Sequence, residues 1–88
     1  MTEVEFKKIM ADENLSNLSA YDDDNAILGL NIIRKYLPKR GIDGAEHDMI
    51  YSVTIDEIVK AGISEEDATE LRRLNWHLEE GYCLACFV

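Results

Sequence analysis

The stretch 26–37 sets apolar side chains at helical spacing and then runs into Pro38. Ala26, Leu30, Ile33 and Leu37 fall on one face of a helix, and Leu28, Ile32 and Tyr36 widen that face. Pro38 has a fixed φ and no backbone N–H, so it ends the helix. An apolar face this wide has to be covered, and the rest of a short polypeptide must supply the cover. Asp22, Asp23 and Asp24 precede the helix, with Asp24 or Asn25 as its cap, and carboxylates there suit the positive end of the helix dipole.

The cover comes in two periodicities. Before the core helix, Thr2 and Glu5 have capping-box spacing, and Phe6, Ile9 and Met10 form a narrow apolar stripe. A helix over 2–12 follows from that, then a polar loop over 13–24, then the core helix over 25–37. Behind Pro38, Arg34, Lys35, Lys39 and Arg40 form a basic knot that suits a helix C-terminus, and 41–44 is a turn signal. Residues 49–53 are rich in strand-formers. Thr54 with Glu57, and Ser64 with Asp67, then open helices over 54–62 and 64–74. Apolar runs on either side of Glu79-Glu80-Gly81 predict a closing hairpin over 76–88. The expected fold is α+β: a single domain over 1–88, with a small three-stranded, mainly antiparallel sheet packed against helices.

Composition narrows the classes of function. With 88 residues the protein has room for one domain, and 47% hydrophobic residues are enough to fold it. Its 18 acidic and 9 basic residues leave a net charge of -9, which opposes direct binding to nucleic acid or to anionic membrane surfaces. The apolar run 26–33 is far short of the ~20 residues that span a bilayer. No stretch has the apolar core of a targeting signal, so the cytoplasm of the host cell is the expected location, with the two cysteines as thiols.

Four groupings carry candidate chemistry. Cys83 and Cys86, with His47 and His77, have the number and type of ligands a tetrahedral zinc site needs. The cysteines lie in an apolar run that reads as strand, however, where residues three apart point to opposite faces. Leu84, Cys86 and Val88 then share one face, and Cys83, Ala85 and Phe87 the other; no metal or cofactor is expected. His47 between Glu46 and Asp48 has the makings of an acid/base group or a ligand site, set against a structural role in the turn. No nucleophile elbow, zincin helix, phosphate loop or dinucleotide fingerprint accompanies it, so catalysis is not expected. Gly62-Ile63 joins two short capped helices as in a phosphate-binding helix hairpin. Glu65, Glu66 and Asp67 beside it would repel phosphate, which leaves a plain glycine-capped connection. Trp76 and Tyr82 are expected near each other on the closing hairpin, with Tyr51 on a neighbouring strand, as either core or interface anchors.

Ala45-Glu46-His47-Asp48-Met49-Ile50-Tyr51, preceded by Ile32-Ile33-Arg34-Lys35-Tyr36 and followed by 64–67, Leu71, Leu74 and Trp76, resembles small uncharacterised proteins of bacteriophages and prophages. The resemblance covers about 28–88. It implies a mobile-element origin and groups His47, Asp48, Tyr51 and Trp76 as one unit, a folding nucleus or a shared surface.

The functional expectation is therefore a small acidic accessory protein that works by binding a host or phage protein. A sharper form makes it a decoy, in which Asp22, Asp23, Asp24, Glu65, Glu66 and Asp67 imitate a row of phosphates, with Tyr51 and Trp76 as further contacts. The alternative is a metal- or small-ligand-binding module centred on His47, with Asp48 and His77.

Overall fold

The structure, a computed structural model, describes residues 1–16 and 24–88. Its elements run α1 (Glu3–Met10), α2 (Asp24–Tyr36), β1 (Gly44–Glu46), β2 (Met49–Thr54), α3 (Ile55–Lys60), α4 (Glu65–Arg73), β3 (His77–Glu79) and β4 (Cys83–Phe87). The sheet has four strands in the order β1-β2-β4-β3, each pair antiparallel.

Local chemistry starts the helices where the spacing predicts. Thr2 and Glu5 close a reciprocal capping box on α1, and Thr54 and Glu57 do the same on α3. Ser64 accepts the Asp67 amide at 3.1 Å to open α4. Both short helices end alike. Gly62 takes φ 91°, the Gly62 amide donates to the Val59 carbonyl and the Ile63 amide to Ile58. Asn75 takes φ 65°, its amide donates to Arg72, and the Trp76 amide donates to Leu71. Each is a Schellman ending, and each tucks a buried residue, Ile63 or Trp76, under the helix it terminates.

One face of the sheet carries the helices. Ile50, Val53, Leu84 and Cys86 join Phe6, Met10, Ile33, Ile55, Ile58, Ala68, Leu71 and Trp76 in a single buried cluster. Between Tyr51 and Thr54 the register slips, so that Ser52 and Val53 both oppose Leu84. This bulge lets Val53 stay in the core while the Ser52 hydroxyl donates to the Gly41 carbonyl at 2.6 Å.

Three expectations need correcting. The sheet has a fourth strand: Glu46-His47-Asp48-Met49 is a tight hairpin turn that pairs Gly44 with Tyr51 and Ala45 with Ile50. It escaped notice because His47 holds φ 56° at the turn's first central position, where glycine is the usual signal. On α2 the inward line is Asn25, Gly29 and Ile33, and Leu28 is exposed. The face is rotated because Trp76 lies against Gly29: a Cβ there would sit 1.9 Å from the indole nitrogen. Finally, Trp76 and Tyr82 do not stand together, since Trp76 is fully buried while Tyr82 is exposed in the β3–β4 turn.

Candidate interaction face

The two sides of the sheet differ in what covers them. Strand alternation and register put Met49 and Tyr51 of β2, Ala85 and Phe87 of β4, His77 and Glu79 of β3, and Glu46 of β1 on the side away from the helices. None of these belongs to the helix-packed cluster. Ala85 is nonetheless fully buried, because its cross-strand neighbours are Tyr51 and His77. The His77 ring stacks on Phe87 with centroids 5.4 Å apart, and its Nε2 lies 3.0 Å from Glu79 Oε2.

Electrostatics tie an acidic rim to this face. The Tyr51 phenol is pushed above its usual value by partial burial, then by the nearby carboxylates of Glu46, Glu79 and Glu80. Burial is also the main cause that raises the Cys83 thiol, with Asp43, Glu57 and Glu79 adding to it against an opposing bond to Ser52. The result is a small apolar centre of Met49, Tyr51, Ala85 and Phe87 with the carboxylates of Glu46, Glu79 and Glu80 near Tyr51.

The two cysteines part as strand geometry requires. The Cys83 thiol donates to the Ser52 carbonyl at 3.3 Å and is half-buried. Cys86 is buried on the helix side, where the Asn25 side-chain amide donates to its sulfur at 3.1 Å, and burial pushes its thiol up to about 11. No cluster of three or more His, Cys, Asp or Glu side chains among the described residues is arranged to hold a metal ion.

The other candidates are dispersed. His47 sits at the β1–β2 turn with its side chain 85% exposed, and its nearest charged partner is Glu46 at 3.7 Å. His77 is on β3, with β4 between it and the β1–β2 hairpin, so about 10 Å or more of sheet separates it from the His47 turn. Asp48 contributes its carbonyl to the Val88 amide at 2.8 Å, which closes the turn against β4. His47, Asp48 and His77 therefore do not converge on one ligand. Trp76 has no surface to offer a partner: its indole N–H donates to the Asn25 carbonyl at 3.1 Å inside the core.

The proposed phosphate row divides as well. Asp22 and Asp23 lie outside the described residues, and Asp24 is exposed at the start of α2. Glu65 and Glu66 are exposed in the first turn of α4. Asp67 is committed, accepting from Lys35 Nζ at 2.7 Å and from the Tyr36 hydroxyl. Lys35, then Tyr36, hold the Asp67 carboxyl below its usual range. This pin fixes the end of α2 to the start of α4. It contributes at neutral pH and is lost as pH falls below about 4 through the lowered value.

The basic knot has the same structural character, in line with its reading as a charged end to the core helix, though two of its ion-pair partners, Asp67 and Glu57, are distant in sequence. Arg40 bridges Glu57 and Asp43, and Arg34 donates to the Pro38 carbonyl at 2.8 Å. No protein-family model, no curated protein and no solved structure matches this sequence.

Proposed function

We propose that this protein is an accessory factor that acts by binding another protein, with the open face of its sheet as the docking surface. The observation that carries this reading is the pairing of an apolar centre, Met49, Tyr51 and Phe87 around Ala85, with the acidic rim of Glu46, Glu79 and Glu80. Aromatic residues at the centre of a patch and charge at its edge are the anatomy of a protein interface. The complementary partner has an apolar knob within a basic surround, and charge steering by a net charge of -9 would speed its capture. The resemblance to phage and prophage proteins makes a host protein the natural partner.

The test is affinity purification from a bacterial lysate with the native protein and with Tyr51→Arg/Phe87→Arg. The native protein should retain a defined partner, with retention falling as salt rises, and the double variant should lose it while keeping its circular dichroism spectrum. Equal retention by both would sink this reading.

A second reading has one observation in its favour. Glu65, Glu66 and Glu70 stand exposed along α4, leaving an acidic surface that could occupy a nucleic-acid-binding protein. Charge reversal at those three positions should then abolish capture, with the sheet-face variant retaining it.

A further inference from the structure

A groove of about 350 Å³ runs between α1, the C-terminal end of α4 and the free side of β3. Met10, Ala11 and Leu78 give it an apolar lining, and Gly81 of the β3–β4 turn borders it. Its charged lining is Lys7, Arg72 and Glu13, two cations to one carboxylate, in a protein where acids outnumber bases 18 to 9. His77 lines it too, but the imidazole is turned to Glu79 and Phe87 on the open face of the sheet.

The cations are unspent. Among the described residues, neither Lys7 nor Arg72 has a carboxylate within ion-pair distance, whereas Lys35, Arg40, Lys60 and Arg73 each do. Arg72 is nevertheless held in place. Its Nε donates to the Asp12 carbonyl at 3.2 Å and its Nη1 to the Trp76 carbonyl at 3.0 Å. Those bonds use two of the five guanidinium hydrogens and none on Nη2. A guanidinium fixed by backbone carbonyls, with donors to spare, is preorganised for a carboxylate. The wall opposite adds a second recognition element, because β3 is an end strand of the sheet, paired on one side to β4. Such an edge accepts an extended peptide by backbone hydrogen bonding.

We propose that this groove binds a short extended peptide segment whose carboxylate is taken by Lys7 and Arg72 while its apolar side chains rest on Met10 and Leu78. The site is separate from the open sheet face and does not depend on it. The carboxylate is that of a polypeptide C-terminus, because β3 is three residues long and its edge seats only the end of a strand.

The test is an amide NMR titration of the 88-residue chain. The probes are acetyl-Ala-Leu-Val-Leu with a free C-terminus, the same peptide as its C-terminal amide, and an amidated peptide with aspartate in place of the last leucine. The free acid should move the amide signals of Lys7, Ala11, Leu78 and Gly81 and the Nε signal of Arg72. The amide should bind about tenfold or more weakly, the loss of one charge-assisted contact. Lys7→Glu should weaken the free acid by a similar factor, and Lys8→Glu, on a different side of α1 beside Met1, Glu5 and Ile9, should not. The aspartate peptide should bind as weakly as the amide, and binding as tight as the free acid's would overturn the assignment to a C-terminus. No groove shifts with any probe, equal binding of acid and amide, or an unaffected Lys7→Glu variant would each overturn the proposal.

Discussion

The two faces of one four-stranded sheet are built to different rules. On the helix side the central strands are held by specific neighbours: Cys86 lies under Asn25 and Leu84 opposite the bulge at Ser52 and Val53, with Trp76 packed behind the sheet against Gly29. On the other side the positions are filled by strand neighbours alone, with Tyr51 and His77 flanking Ala85. The difference teaches where selection for folding ends and where surface chemistry begins. The first face is filled by close packing, and the second is open and lies beside carboxylates.

The sharpest test uses the paired thiols, one per face. A thiol reagent should modify Cys83 in the native protein and reach Cys86 only through unfolding, because Cys86 is fully buried and its thiol is pushed up to about 11. Their rates should differ by about a thousandfold or more, the ratio that an opening free energy of ~4 kcal/mol gives. Peptide mapping after timed labelling measures it, and comparable rates would mean that the helix side is not sealed.

Next in size is Trp76→Ala. It deletes a fully buried ring and the bond to the Asn25 carbonyl, and should cost about 3–5 kcal/mol in urea unfolding. In a domain with a typical total of about 5–15 kcal/mol, that removes a large share of the stability and at the low end of the range leaves the variant unfolded. Trp76→Phe keeps most of the volume and loses the donor, so it should cost less and still fold. A Trp76→Ala protein with native stability would contradict the placement of this ring at the centre of the core.

Gly29→Ala probes the same contact from the helix. Alanine is ordinarily the better helix former by about 1 kcal/mol. Here its Cβ would meet the nitrogen of a fully buried indole at 1.9 Å. The crowding should win, for a net loss of about 1–3 kcal/mol by the same unfolding measurement. A stabilising outcome would show that the ring can move, and the contrast between the faces would weaken with it.

How far the sequence could be read follows from the range of each interaction. The starts of α1, α3 and α4 were legible because Thr2 with Glu5, Thr54 with Glu57 and Ser64 with Asp67 act across three residues. The separation of Cys83 from Cys86 was legible because strand alternation is local. β1 was not, because a turn through His47 and Asp48 lacks the glycine that advertises a hairpin. Nor was the rotation of α2, since a glycine inside a helix looks like a weakness until the ring that fills its place is known. Of the candidate site, Tyr51 was legible as a residue type, but its membership of an open face depended on pairing with β4. The commitment of Asp67 to Lys35 and Tyr36, which removes it from any free acidic surface, is likewise a contact between distant segments.

The smallest expected effect on stability completes the contrast. Tyr51 is half-buried and contacts its neighbours across the strands, so Tyr51→Arg removes a cross-strand pairing worth about 1 kcal/mol or less. The new charge lies close to Glu46 and Glu79, which perturb the native phenol and would attract a guanidinium, returning part of that loss. The variant should therefore unfold within about 1 kcal/mol of the native protein. Partner capture should respond in the opposite sense, because an arginine at the apolar centre meets the partner's knob with an unpaired charge. A large loss of stability in Tyr51→Arg would place Tyr51 with the core, and the open face would then be one more surface the fold needs for itself.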